Sequence, residues 1–484
     1  MAERGGEQGH GGTVVLTPVV AAERRPGASA AAGRIRLPVT WPLVVLFVAF
    51  PVWWLIGVSS FMWPVIAVPM VIAMVWRRQS RAPVAMALWL AFVSWVLLSG
   101  LQLHSSTKIM TFTYRWSLYA GAAVLFLYVY NMPRSGRLDT RVLRILTVFW
   151  MVVVVGGYLG IFLRGATFVP PFMHVLPASL RNKPFVQELV QPVFAEVTNF
   201  LGYPVARPAA PFTYTNEWGG NIAVLTPVAF AAIAAAGRGL RRRILILVLI
   251  ASLVPMVDSL NRGMFLSLGI GILYVTVRLA MRGHLTALVS LLTVTAVAVI
   301  IVALTPLGHL VTASFSSTHG HSNQTRLSLY QQASAGANAS PLFGYGAPQP
   351  VINQTGQVTG TPAIGTQGQL WMVLYSNGYP AIVFFVTFFL AVLWQTRRAR
   401  GAVGLWLHTV PVVGLAQIVV YGWLSVELQV IMVACALAYR RCGLPRSELP
   451  ELPARRAAEP GARPAGVPVP DEAGPAGRDL VPAR

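Results

Sequence analysis

The chain holds 15 Asp and Glu against 37 Lys and Arg in 484 residues, and few of those acids lie where a reaction could use them. Away from the Arg-rich short loops and the two tails, the acids are Glu188, Glu196, Glu217, Asp258 and Glu427. The histidines in the same regions are His104, His174, His309, His319 and His321. A base that accepts a proton near neutral pH must come from this small set. Glu217 is the first candidate, because it opens an apolar stretch beside Trp218, whose ring could stack on a substrate. An equally weighted reading makes Glu217 an acid that anchors a helix start, where a carboxylate favours the positive end of the dipole. His319 and His321, in Ser317-Thr318-His319-Gly320-His321-Ser322, read either as alternative bases or as a solvated polar loop.

The basic residues of those regions are Lys108, Arg115, Arg164, Arg181, Lys183, Arg207, Arg262 and Arg326. Arg115 and Arg164 read as anchors at a membrane interface. Arg262 stands in the short link Asp258-Ser259-Leu260-Asn261-Arg262-Gly263, so that Asp258 is four residues from it. Such a charged pair at a hydrocarbon edge is either functional or a local Asp258–Arg262 salt bridge that fixes the turn. A planar guanidinium fork suits a diphosphate better than an ammonium does, which makes Arg262, Arg326 and Arg207 candidate diphosphate ligands. Phosphate loops, dinucleotide fingerprints, HExxH sequences and cysteine clusters are all missing, so no metal and no cofactor is expected. Cys435 and Cys442 read as thiols in a reducing compartment.

These side chains must be positioned by membrane-spanning helices. Hydrophobic residues make up 55% of the chain and charged ones only 11%, where soluble domains carry roughly 25% charge. A helix needs about 20 apolar residues to cross the bilayer. That ruler divides residues 41–76 into two short helices broken at Gly57-Val58-Ser59-Ser60. Further spans fall at 83–103, 116–130, 142–163, 219–236, 244–257, 264–281, 285–304, 370–394, 403–420 and 423–438, about twelve in all. Every second loop carries an arginine cluster, and with twelve spans these clusters share one face with both tails, which positive-inside topology makes cytoplasmic. Because the basic residues form short clusters between apolar runs rather than one patch, nucleic acid is not an expected partner. Residues 1–40 and 443–484 are expected to be disordered cytoplasmic tails around a membrane domain at 41–438. Two long extracytoplasmic loops, 164–218 and 306–369, are the expected seat of function. Within the first, 184–203 has roughly helical apolar spacing, interrupted by Pro192, and reads as a helix lying on the outer bilayer surface.

Four segments, in order, resemble the O-antigen ligase and polymerase superfamily of bacterial membrane glycosyltransferases. They are Pro211-Phe212-Thr213-Tyr214-Thr215-Asn216-Glu217-Trp218-Gly219; Ser259-Leu260-Asn261-Arg262-Gly263; Arg326 and Tyr330 followed by Ser340-Pro341-Leu342-Phe343-Gly344-Tyr345-Gly346; and residues 367–378 leading into an apolar span. The resemblance covers about 211–394, less than half of the chain. It implies an all-α integral membrane fold of the C-type glycosyltransferase kind and a metal-independent reaction. It also implies a polyprenyl-diphosphate-linked glycan as donor and a glycan or lipid-sugar as acceptor. Asp258, Gly344 and Gly346 would hold the turns. The family's histidine and asparagine positions hold Gln367 and Gly368 here. Glutamine can orient a hydroxyl but cannot accept its proton at neutral pH, so Glu217, His319 or His321 would have to replace the histidine. The expected activity is transfer or polymerisation of glycan on the outer face of a bacterial plasma membrane, for surface polysaccharide biosynthesis. Export of a lipid-linked glycan, or a non-catalytic accessory role in polysaccharide assembly, are the alternatives.

Overall fold

The computed structural model describes residues 38–442 apart from 79–80, 104, 199–203, 287, 291, 294–319 and 353–357. The expected tails, most of the expected span 285–304, and His319 lie outside the described residues.

The protein is largely helical. Helix α1 (Trp41–Leu43) continues as a π-helical turn and is followed by α2 (Phe50–Ile56), α3 (Met62–Trp76), α4 (Ala85–Ser99), α5 (Ser106–Asn131) and α6 (Gly136–Phe162). Three short helices, α7 (Pro171–Val175), α8 (Ala178–Arg181) and α9 (Pro184–Val190), precede a hairpin of β1 (Ala195–Thr198) and β2 (Val205–Pro208). Then come α10 (Thr215–Ala235), α11 (Leu240–Asp258), α12 (Arg262–Ala280) and α13 (Gly320–Ala339). A second hairpin, β3 (Gln349–Ile352) with β4 (Val358–Ile364), leads to α14 (Gln369–Thr396), α15 (Gly401–Gln417) and α16 (Glu427–Cys442). Among the described residues five helices are long and apolar enough to cross a membrane: α4 with its 3-10 extension to Gln102, α6, α10, α12 and α14. Large apolar side chains on outward faces, such as Val68 at 58% and Leu247 at 68% exposure, fit a hydrocarbon surround.

The expected break after α2 is present, closed by Gly57 in the left-handed region (φ 91). The expected helix at 184–203 is not. It stops at Val190, because Pro192 lacks the N–H that a helix there requires, and Ala195–Thr198 pairs as a strand with Val205–Pro208. The fold is consistent with the expected all-α membrane class, with two small hairpins among the described residues as its departures from helix.

A buried aromatic cluster of Trp89, Phe92, Phe126, Phe385, Phe388 and Trp423 joins α4, α5 and α14 to the α15–α16 connection. On α6, Gly156, Gly157 and Gly160 leave room for neighbours that a Cβ would strike: Pro211, Trp218 and Pro208 respectively. The first turn of α10 and the end of β2 therefore lie directly on the α6 backbone.

The 340–346 turn docks on a break in α14. Gly378 is non-helical (φ 78, ψ −177), and its neighbours Tyr375 and Ser376 present their carbonyls to the N–H groups of Tyr345 (3.1 Å) and Gly346 (2.7 Å). Tyr379 N–H returns a bond to Pro341 O at 2.8 Å. A Cβ at Gly378 would strike the Leu342 carbonyl, and the backbone conformation is one that essentially only glycine adopts. Gly378→Ala is expected to cost about 2 kcal/mol or more. Gly237→Ala, where a Cβ meets open space, should leave the melting temperature in detergent almost unchanged. Equal melting temperatures for the two variants would disprove the docking role of Gly378.

Candidate functional site

Arg207, Arg262 and Arg326 come from β2, the start of α12, and α13, and they lie close enough to repel one another electrostatically. In the β1–β2 hairpin Glu196 stands opposite Arg207, with Oε2 4.0 Å from the Arg207 Nη2. That same oxygen accepts the Thr215 N–H at 2.8 Å, and the Thr215 hydroxyl donates to Arg207 O at 3.3 Å. The hairpin is thereby tied to the first turn of α10. Asn261 Nδ2 donates to Thr215 O at 3.2 Å and lies over Gly219, where a side chain would collide with it. These two contacts bring the α11–α12 turn, and with it Arg262, to the same place.

Tyr421, on the link between α15 and α16, completes the cluster. Its hydroxyl lies against Gly263 and bonds the backbone of Met264. Burial pushes the phenol well above its ordinary range, while Arg326 and Arg207 draw it down. Arg207 is only 6% exposed. Burial lowers its guanidinium from the ordinary value, Glu196 offsets this, and Arg326 and Arg262 lower it further by like-charge repulsion. An arginine so placed keeps its charge. Guanidiniums brought from three segments beside the Tyr421 hydroxyl can hold a multivalent anion.

At the start of α10, where Thr215 ties in the hairpin, Trp54, Ser60, Glu188, Gln191, Tyr214 and Glu217 line a narrow cleft of about 60 Å³ that opens to the outside. Glu217 Oε2 accepts the Thr213 N–H at 3.1 Å, so Glu217 does anchor the start of its own helix. It also faces the cleft, so the anchoring and proton-accepting roles are compatible. Tyr214 donates to Glu188 Oε1 at 2.7 Å, and burial together with that carboxylate pushes its phenol far up. A second carboxylate, Glu427, is 1% exposed. Its Oε1 accepts from Gln417 Nε2, its Oε2 has no hydrogen-bond partner, and it repels Glu217 electrostatically.

Several expected roles change. Trp218 is fully buried, its ring against Gly157 and its Nε1 donating to Val153 O at 3.0 Å, so it cannot stack on a substrate. Asp258 pairs with Arg164 at 2.8 Å rather than with Arg262. The i,i+4 pairing needs a continuous helix, whereas α11 ends at Asp258, Leu260 turns the chain at φ 49, and α12 begins at Arg262. Gln367 is half-buried just before Gly368 (φ 137). The polar work at that helix start falls to Gln369, which donates to the Tyr119 hydroxyl at 2.7 Å and accepts the Trp423 N–H at 3.0 Å. His321 falls in the first turn of α13, whereas His319 is outside the described residues. Gly344 (φ 60) and Gly346 (φ 71) hold the expected turn. Tyr421 and Gln417 were not singled out by sequence, and Glu427 was named there only as one of five acids that could accept a proton. Nothing in their spacing distinguishes them from other polar residues near a span end.

No family model matches the chain, and no curated protein matches its sequence.

Proposed function

We propose that the chain is a membrane glycosyltransferase resembling the O-antigen ligases and polymerases, acting on a polyprenyl-diphosphate-linked glycan. The convergence of Arg207, Arg262 and Arg326 around Tyr421 carries this reading. The diphosphate would lie on these guanidiniums. The acceptor hydroxyl attacks the anomeric carbon, the bond from that carbon to the diphosphate oxygen breaks, and the leaving lipid diphosphate keeps the electron pair. Charge developing on that leaving group is what preorganised guanidiniums stabilise best. Glu217, in the cleft at the start of α10, takes the hydroxyl proton. The acceptor, a glycan or lipid-sugar, occupies the same cleft. The reading includes about twelve spans in a bacterial plasma membrane, both tails cytoplasmic, and the site at the outer face, where the long loops meet.

Purified protein reconstituted with a labelled polyprenyl-diphosphate glycan and an acceptor should release lipid diphosphate and extend the acceptor. Movement of the label across the bilayer without transfer would identify a carrier instead. Binding with neither outcome would identify an accessory protein. Within the transfer reading, Arg262→Lys and Arg326→Lys keep charge but lose the fork, and at least one should lower turnover more than about tenfold, or about 1.4 kcal/mol. Normal turnover in both lysine variants would remove the clamp from the mechanism.

A further inference from the structure

At the other ends of these helices, next to the Arg-rich loops, α15 packs against both α12 and α14. A groove of about 610 Å³ opens along it, lined chiefly by apolar side chains including Leu390, Leu393, Trp394 and Val412. Leu390 is 52% and Trp394 66% exposed, so the groove faces outward. Its polar residues form one chain across the three helices. His408, 1% exposed, meets the Tyr274 hydroxyl through Nε2 at 2.6 Å and the Thr396 hydroxyl through Nδ1 at 2.8 Å. Arg278 Nη1 donates to the hydroxyl of Tyr274, a lining residue, at 2.9 Å, which holds its guanidinium beside the groove. From the opposite wall Arg397 lies 3.5 Å over the Trp394 ring and donates to the Trp394 carbonyl. Among the described residues no carboxylate pairs with either arginine.

An outward-facing apolar channel with a guanidinium from each flanking helix beside it, Arg397 in its wall and Arg278 on the lining residue Tyr274, matches an amphiphile with an anionic head. We propose that this groove binds an anionic phospholipid of the leaflet that faces the Arg-rich loops. The phosphate sits between Arg278 and Arg397, and an acyl chain runs along Leu390 and Val412. A zwitterionic lipid offers the same chain but brings its own ammonium to the two arginines. The inference uses the membrane reading alone, so it stands or falls independently of glycosyl transfer.

Native mass spectrometry of the delipidated full chain, titrated with phosphatidylglycerol or phosphatidylcholine, tests it. Retention of phosphatidylglycerol should exceed that of phosphatidylcholine by roughly thirtyfold, the equivalent of about 1 kcal/mol per guanidinium. The preference should vanish in the Arg278→Gln, Arg397→Gln double variant. Ala391→Phe, which fills the groove without touching its charges, should reduce bound phosphatidylglycerol at least tenfold, and it decides the matter if the arginine variant does not fold. Equal retention of the two lipids, an unchanged preference in the double variant, unimpaired binding in Ala391→Phe, or a lipid-free dimer in place of the lipid complex would each overturn the proposal.

Discussion

Glu217→Gln is expected to lower transfer about a hundredfold or more while leaving the protein folded, membrane-inserted and able to bind donor. The substitution separates the anchoring contact of Glu217 from the proton-accepting role proposed for the same side chain. As an anchor, Glu217 needs only an oxygen that accepts the Thr213 N–H, and the glutamine carbonyl supplies one. As a base it needs a carboxylate, which glutamine cannot mimic. A hundredfold loss is about 2.7 kcal/mol of transition-state stabilisation, whereas replacing a cap acceptor by a similar one leaves helix stability nearly unchanged. Glu427→Gln is the internal control. Glu427 is buried, bonded to Gln417, and close enough to repel Glu217, but it does not line the cleft. Its loss should affect turnover far less. Near-normal turnover in Glu217→Gln with a collapse in Glu427→Gln would move the base to α16. A collapse only in His319→Ala or His321→Ala would move it to the 306–369 loop.

How much of this was legible in sequence follows from the range of the interactions involved. Hydropathy is a local signal, and the apolar segments it marked fall mainly on helices among the described residues, five of them long and apolar enough to cross a membrane, although 418–426 form a non-helical connection between two of the expected spans. Arginines that break the positive-inside bias were also readable one by one, and Arg207, Arg262 and Arg326 were marked for their chemistry before their convergence was seen. Their meeting point was not readable, because it depends on Thr215 receiving contacts from β1, β2 and the α11–α12 turn at once. Local pattern misled where two periods competed: residues 184–203 carry apolar groups at helical spacing, yet Pro192 and cross-strand pairing with Val205–Pro208 prevailed. Trp218 misled for another reason. An aromatic ring at a span mouth suggests a stacking platform, but the glycines of α6 make a slot that buries the ring completely. The lipid groove rests on contacts of the same long range, since His408 meets Tyr274 and Thr396 from three different helices.

The largest stability effect is expected far from the site, in Asp139→Ala. Asp139 opens α6 and Arg440 closes α16; their side chains are each 2% exposed and meet at 2.6 Å. Sequence places Arg440 beside Arg441 as another member of a cytoplasmic cluster, which would be solvated. Instead its guanidinium caps the C-terminal end of α5 and the turn beyond it, donating to Met132 O at 2.6 Å, Pro133 O at 2.8 Å and, more weakly, Val129 O and Tyr130 O. A cation there also meets the negative end of the α5 dipole. Removing Asp139 leaves that charge buried without its counter-ion, a change that costs about 3–5 kcal/mol in comparable buried pairs. In a Cys442→Ser background Cys435, a free thiol at 0% exposure, reports the outcome: a thiol-reactive dye should label it at a markedly lower temperature when Asp139→Ala is added. The double variant Asp139→Ala, Arg440→Met tests the second half of the argument. Were the pair an isolated ion pair, an apolar replacement of both partners would recover most of the loss. Because Arg440 also satisfies backbone carbonyls at the end of α5, the double variant should remain nearly as unstable as Asp139→Ala. Full recovery would show that the carbonyl contacts contribute little and that the α5–α6 turn is held by other means.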